Sequence, residues 1–140
     1  MKFYSDIDNM KYNIDLRIRK LKPYLIEIIS AKEHSFSERK IPKSPGIYLI
    51  LKKDTNDVVY IGETENLRKR IVDNLISGDK QAHTLRKKLA KTYNLKTEKE
   101  ITDFLKENFT FKFIETNIEP KERKAVEHFL IAVINPLFND

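Results

Sequence analysis

The stretch PGIYLILKKDTNDVVYIGET, residues 45–64, decides the fold of this chain. Two short apolar runs, residues 47–51 and 58–61, are rich in side chains that favour β-strands. Residues 54–57 between them, with the sequence DTND, are typical of a turn. The pattern predicts a β-hairpin in the middle of the chain.

Apolar residues at helical spacing predict a helix over residues 8–33, which Pro23 is expected to kink or divide. Residues 34–45 contain two prolines and are interpreted as a connector. After the hairpin, Leu67, Ile71 and Leu75 predict a helix, with Thr64 as its cap. Two further helices are predicted near residues 84–93 and 97–108.

The C-terminal third predicts one strand and one helix. Phenylalanines alternate with other residues over 109–116, which is typical of a strand with one buried face. Pro120 suits the first residue of a helix, and residues 125–134 are apolar nearly all round, which predicts a buried helix. The expected fold is α/β (α+β), a small three-stranded, mainly antiparallel sheet packed with helices. Residues 1–44 would form a helical extension and connector, and residues 45–140 the main domain.

Composition favours a single domain with an anionic partner. The chain has 140 residues and a net charge of +6, with a pI of about 9.4. A basic balance indicates nucleic acid first and a membrane surface second. The absence of cysteine excludes disulfides and thiolate metal sites. No signal peptide or membrane-spanning run is recognised, so a cytoplasmic protein without membrane contact is expected.

Five sequence elements in order resemble the GIY-YIG endonuclease family, in the form of a stand-alone nuclease domain. The match extends from about Pro45 to Asn139. Its elements are Gly46-Ile47-Tyr48, Tyr60-Ile61-Gly62, Asn66-Leu67-x-x-Arg70, Glu127 and the closing Pro136-Leu137-Phe138-Asn139. The resemblance implies a metal-dependent endonuclease that hydrolyses phosphodiester bonds of DNA.

The resemblance also implies residue roles. Tyr48 or Tyr60 would be the general base for an attacking water, Arg70 would stabilise the pentacoordinate phosphate, and Glu127 would hold Mg²⁺ or Mn²⁺. The supporting positions are Gly62, Glu63, Asn74 and Asn139.

Strand register provides a test of the paired tyrosines. Side chains alternate with period two, so the hairpin register decides whether Tyr48 and Tyr60 share a face. A three-residue loop, with Lys53 opposite Asp57, would put Tyr60 opposite Ile50 and diagonal to Tyr48. A two-residue loop would put the tyrosines on opposite faces. For an isolated strand tyrosine the ordinary role is packing at a sheet edge.

Glu127 is informative on physical grounds as well. It lies among Val126, Phe129 and Leu130 in a helix expected to be buried. A carboxylate is costly to bury unless a cation or hydrogen-bond donors compensate. A hard divalent ion fits such a site, and a buried salt bridge is the alternative.

Two positions depart from common family patterns. Asn74, four residues after Arg70, stands where relatives often have histidine or tyrosine. Glu63 stands where excision-repair relatives have lysine, and a carboxylate there would repel phosphate unless it helps to hold the metal. Both changes favour the alternative hypothesis, a catalytically weak or inactive GIY-YIG-fold protein that binds DNA or RNA.

A basic run predicts the nucleic-acid contact. The predicted contacts are Lys80, His83, Arg86, Lys87, Lys88 and Lys91. Such a stripe gives sequence-independent, salt-sensitive phosphate binding, although basic runs are often only solvated faces. DNA is the expected partner and RNA the less favoured one. The chain is expected to be a monomer or a homodimer paired through its N-terminal helix.

Overall fold

The computed structural model describes residues 6–79 and 81–140. It is a mixed α/β structure in which one antiparallel sheet lies between two layers of helices. The helices are α1 (Asp6–Ser30), a π-helix (Lys69–Ile76), α2 (Thr84–Thr92), α3 (Glu98–Asn108) and α4 (Pro120–Ile134). The strands are β1 (His34–Ser35), β2 (Gly46–Lys52), β3 (Val58–Thr64) and β4 (Phe109–Glu115).

The sheet has the order β1-β4-β2-β3, and every neighbouring pair is antiparallel. The predicted fold class is therefore confirmed, with four strands instead of three. The additional strand is β1, two residues long, which lies within the expected connector and pairs with Phe111 and Thr110 of β4. The other edge of the sheet is β3.

The two tyrosines lie on one face of the sheet, as a three-residue loop would place them, but the strand pairing near the turn differs from that expectation. Near the turn, Leu51 pairs with Val58, a register that by itself would put Tyr60 on the face opposite to Tyr48. A bulge then shifts the pairing by one residue, so that Ile50 faces Tyr60 and Tyr48 faces Gly62. The shift returns both tyrosines to one face, and their ring centroids are 6.3 Å apart.

Division of the first helix at Pro23 and full burial of the last helix are not observed. Helix α1 continues through Pro23 without division, and the lost backbone hydrogen bond is offset because Leu21 and Ile28 on either side are buried against the sheet. Helix α4 is not buried all round. Only a stripe including Val126 and Leu130 is buried, and Val133 is 54% exposed.

The sheet separates two hydrophobic cores. The first, called here the site-face core, lies under the π-helix, α2 and α3 and includes Tyr48, Leu67 and Leu85. The second, the opposite core, lies under α1 and α4 and includes Ile28 and Val126. Within the described residues, no helix has the length and apolar character needed to cross a bilayer. The division at residues 44 and 45 stays a prediction.

Candidate active site

Tyr48 lies beneath the surface of the site-face core, and glycine makes room for it. The Tyr48 side chain is 1% exposed. Its ring covers Gly62 on the neighbouring strand, and a Cβ atom at Gly62 would collide with the ring and hydroxyl of Tyr48. Glycine is therefore required in the second motif, because the tyrosine ring of the first motif occupies the space of any larger side chain.

The Tyr48 hydroxyl receives two donors. His83 caps α2 by accepting the Leu85 N–H at Nδ1, 3.0 Å away. The ring proton of the neutral imidazole therefore lies on Nε2, which is 2.8 Å from the Tyr48 oxygen. Arg70 Nε lies 3.4 Å from the same oxygen, and Arg70 Nη1 donates to the Ala82 carbonyl. The network fixes the Arg70 guanidinium at the end of the site.

Burial controls the protonation of both aromatic partners. It raises the pKa of the Tyr48 phenol, and the nearby Tyr60 raises it further. It also lowers the pKa of His83 to about 3, with the charges of Arg70 and Arg86 acting in the same direction. At neutral pH the phenol is therefore protonated and the imidazole neutral.

Tyr60 differs from Tyr48 because it faces a cleft of about 410 Å³. Glu127, Thr84, Lys88 and Asn139 also line this cleft. Burial raises the pKa of the Tyr60 phenol, and the Arg70 charge and hydrogen bonding from Thr84 offset part of the rise. Tyr60 is therefore the motif tyrosine that shares a solvent-accessible space with the carboxylate.

The edge of β3 that does not pair with β2 positions Glu127. Glu127 Oε2 accepts the Glu63 backbone N–H at 2.7 Å, and Oε1 lies 3.7 Å from the exposed His128 ring. Burial raises the pKa of the Glu127 carboxyl, and the Glu63 N–H offsets part of this rise. One oxygen is thus held by the sheet while the half-buried carboxylate faces the cleft.

The same strand edge docks the closing segment. The side-chain oxygen of Asn139 accepts the Ile61 N–H, and its side-chain nitrogen donates to the Ile61 carbonyl, both at 2.8 Å. The Phe138 N–H donates to the Val59 carbonyl. Lys88 Nζ donates to the Phe138 carbonyl at 2.6 Å. Alternate residues of β3 therefore bind the C-terminal segment and Glu127.

Glu63 has a partner that the sequence did not suggest. Arg123, 2% exposed, lies one helical turn before Glu127 and donates through Nε to Glu63 Oε2 at 2.6 Å. The negative charge of Glu63 is thereby neutralised next to the candidate metal ligand. Arg123 and Glu127 lie four residues apart in α4, so both side chains reach Glu63 of β3.

Asn74 lies four residues after Arg70 in the π-helix, away from the cleft of Tyr60 and Glu127. The segment is a π-helix, in which Ser77 N–H bonds to the Val72 carbonyl five residues earlier. Asn74 is half-buried and does not line the cleft of Tyr60 and Glu127.

The predicted basic stripe is only partly a surface. Arg86 is 0% exposed and donates to the carbonyls of Leu75, Ile76 and Glu98. The prediction that it contacts nucleic acid is therefore wrong, because burial against the ends of two helices makes it a structural cation. His83 is also buried, beneath Tyr48, so a phosphate contact by its ring is excluded in this conformation.

The remaining basic residues of the stripe differ in availability. Lys87 and Lys91 are exposed beside the mouth of the cleft. Lys88 is bound to the C-terminal segment and pairs with Asp140 at 2.5 Å. Lys80 lies outside the described residues.

The chain belongs to the GIY-YIG family: residues 44–139 match the family described as the GIY-YIG catalytic domain. This match confirms the predicted family and the predicted enzyme class, an endonuclease. The chain is also 32% identical over 99 residues to the UvrABC system protein C of Mycoplasma mycoides subsp. mycoides SC. That alignment covers 71% of this chain and only 14% of the relative.

Solved structures give a weaker likeness. The GIY-YIG N-terminal endonuclease domain of UvrC from Thermotoga maritima, bound to its catalytic divalent cation, magnesium, has a TM-score of 0.45 and 20% identity. The match covers 73% of this chain and 90% of that domain. A variant of the same domain, also bound to a divalent cation, matches at 19% identity with the same TM-score.

Proposed function

We propose that this endonuclease cuts DNA by metal-assisted hydrolysis in the cleft between Tyr60 and Glu127. The observation that carries the proposal is a cleft lined by Tyr60 and the half-buried carboxylate of Glu127, with the restrained guanidinium of Arg70 interacting with Tyr60. Phosphodiester hydrolysis requires a positioned water, neutralisation of phosphate charge and stabilisation of the leaving oxygen. Each requirement has a candidate residue here.

Glu127 suits a hard divalent cation. The backbone N–H of Glu63 in the sheet holds one carboxylate oxygen. Partial burial leaves the negative charge with little compensation, and the cleft gives room for water and substrate oxygens. Mg²⁺ is commonly held by one or two carboxylates together with waters and phosphate oxygens. Bound there, Mg²⁺ or Mn²⁺ would supply positive charge for the phosphate and the leaving oxygen. Magnesium is also the ion of the Thermotoga maritima domain.

Tyr60 is the better candidate for contact with the attacking water. It faces the cleft, whereas the Tyr48 oxygen is buried and already accepts from His83 and Arg70. Because the pKa of Tyr60 is raised, a phenol that relays protons fits better than a phenolate base. Water attacks phosphorus and its proton passes to the phenol oxygen as the phenolic proton leaves to solvent. The bond to the leaving oxygen breaks, and that oxygen takes a proton from solvent.

Arg70 completes the proposed site. Hydrogen bonds to Tyr48 and the Ala82 carbonyl restrain the Arg70 guanidinium. Its positive charge also offsets part of the rise in the pKa of Tyr60. A restrained guanidinium can donate two hydrogen bonds to one phosphate group. Tyr48 and His83 are therefore assigned as positioning residues for Arg70. Lys87 and Lys91 would contact the DNA backbone next to the cleft.

The test is nicking of supercoiled plasmid with Mg²⁺ or Mn²⁺. We expect nicks that disappear with EDTA and in Glu127→Gln, which preserves shape and removes the charge. The matched control is Glu119→Gln, which makes the same change at an exposed position of the same helix region and should cut normally. Absence of cutting on plasmid, branched DNA and RNA by folded wild type would contradict the proposal and favour a binding protein.

A further inference from the structure

The first half of α1 bears an apolar surface that the rest of the described chain does not cover. Residues 6–20 are all exposed, whereas Leu21 and Ile28 later in the same helix are buried. Four side chains, 45–65% exposed, form what is called here the N-terminal stripe. They are Ile7, Met10, Ile14 and Ile18.

The stripe continues the packed face of the same helix. Steps of three and four residues lead from Ile18 to Leu21, Leu25 and Ile28, all of which belong to the opposite core or pack against it. At about 100° per residue the whole series lies within an arc of about 80°. The described chain contacts the first half of α1 through the ion pair of Arg17 with Glu122 of α4. Because packing of one apolar face supplies most of the stability of protein helices, this half lacks the apolar support that the second half has.

The charges of residues 6–20 favour a second copy of this chain as the partner of the stripe. Acidic residues dominate the start of the exposed segment and basic residues its end. The acids are Asp6, Asp8 and Asp15, and the bases are Lys11, Arg17, Arg19 and Lys20. Three acids and four bases give a net charge of +1, far from the strongly basic face of a helix that binds DNA or an anionic membrane. A polarised segment of this kind complements itself when it is turned end to end.

We propose that the N-terminal stripe pairs with the same stripe of a second copy of this chain, with the two helices antiparallel. A two-fold axis near residue 12 would place Ile7 opposite the partner's Ile18 and Met10 opposite the partner's Ile14. Lys11 and Asp15 lie on one flank of the stripe, so each Lys11 would approach the other chain's Asp15. The two helix dipoles would also oppose each other favourably.

The size of the stripe fixes the kind of dimer. Fifteen residues span about 22 Å of helix, and only four apolar side chains per chain would be buried. An interface of this size is smaller than those of permanent dimers. The pairing is therefore reversible, and it is independent of the proposed cleavage chemistry.

Light scattering of the full chain over about 1–100 µM tests the pairing. We expect wild type to shift from monomer to dimer over this range, and Ile14→Asp to weaken dimerisation at least tenfold. The matched control is Leu16→Asp, on the opposite side of the same helix, which should dimerise as wild type does. Circular dichroism verifies that each variant is folded.

Three results would overturn the proposal. They are a wild-type chain that stays monomeric at the highest concentration, an Ile14→Asp dimer as tight as wild type, and equal loss of dimer in Leu16→Asp. The last result would attribute the effect to helix formation instead of the stripe.

Disulfide trapping tests the direction of pairing, because the natural chain contains no cysteine. A mixture of Ile7→Cys and Ile18→Cys chains should cross-link under mild oxidation. Ile7→Cys alone should not, since its two copies would lie about 16 Å apart along the antiparallel pair, beyond the reach of a disulfide. Cross-linking of Ile7→Cys with itself, and none in the mixture, would overturn the antiparallel arrangement.

Discussion

The helices on the two faces of the sheet serve different purposes. The site-face core contains buried ionisable groups, including Tyr48, His83 and Arg86, and each has hydrogen-bond partners. The opposite core, built by α1 and α4, is a cluster of aliphatic and aromatic side chains, with Arg123 paired beside it. Glu127 belongs to α4 and reaches the site around the edge strand β3. The difference indicates that one layer holds the groups proposed to bind phosphate, while the other supplies the carboxylate and rigidity.

The largest effect should come from Arg70→Lys on the site face. Lysine keeps the charge but cannot maintain contacts to Tyr48 and the Ala82 carbonyl together. We expect a loss of about 10²–10³-fold in kcat with little change in unfolding free energy. Arg68→Lys, two positions earlier and partly exposed, is the control in plasmid nicking. Nicking by Arg70→Lys at the wild-type rate would remove Arg70 from the site.

The reverse behaviour is expected of Ile28→Ala in the opposite core. Ile28 is 0% exposed, and its truncation should lower the free energy of unfolding by about 3 kcal/mol. Specific activity measured well below the melting temperature should stay within about twofold of wild type, since the change is far from the phosphate-binding groups. Urea unfolding and nicking of the same preparation give both values. A large loss of activity in fully folded protein would break the proposed separation of the two faces.

Arg86 and Lys87, neighbouring cations of α2, are expected to have different roles: Arg86 stabilises the fold, and Lys87 binds DNA. Arg86→Met should destabilise the fold by about 3 kcal/mol, because it leaves the carbonyls of Leu75, Ile76 and Glu98 without their donor. Lys87→Met, one residue away and exposed, should change stability by less than about 0.5 kcal/mol.

DNA affinity distinguishes the same pair of variants. Lys87→Met should reduce the slope of log affinity against log salt by about one. Titration of labelled duplex at several salt concentrations measures this slope. An unchanged slope would mean that Lys87 does not contact the DNA backbone.

The effect that is smallest at neutral pH is a pH dependence of stability from His83. Its pKa falls to about 3 on folding because of burial, so the unfolded chain binds a proton that the folded chain does not. The contribution is complete above the unfolded pKa, about 6.5, and is lost as pH falls toward 3, with a slope of at most about 1.4 kcal/mol per pH unit. His83→Gln should flatten the slope between about pH 6 and 4 in denaturant titrations. An unchanged slope in that variant would assign the acid sensitivity to other groups.

Sequence patterns predicted the local elements better than their relations. The hairpin, α2, α3 and β4 followed from periodicity and turn chemistry. Sequence left open whether the two tyrosines share a face, because two loop lengths were possible. The bulge before Tyr60 was not predicted, since a one-residue shift depends on how the sheet pairs and leaves no local signal. Strand β1 was missed for a similar reason, because two residues are too few to show alternation.

The site shows the same limit. The motif spacing indicated Tyr60, Arg70 and Glu127, and the cleft brings the tyrosine and the carboxylate together. Burial of Arg86 could not be predicted, because an arginine in a basic run has the same local pattern whether it faces solvent or two helix ends. The Glu63–Arg123 pair joins residues 60 positions apart and appears only in the folded chain.

The occupied edge of β3 also has a consequence for solubility. An edge strand with unpaired N–H and C=O groups is a template on which another chain can add a strand. Here Phe138, Asn139 and Glu127 bond to alternate residues of β3 along that edge. Loss of the last few residues would therefore uncover the part of this strand around Val59 and Ile61, where β-branched side chains are concentrated. The closing asparagine protects the chain against aggregation as well as holding the strand beside the site.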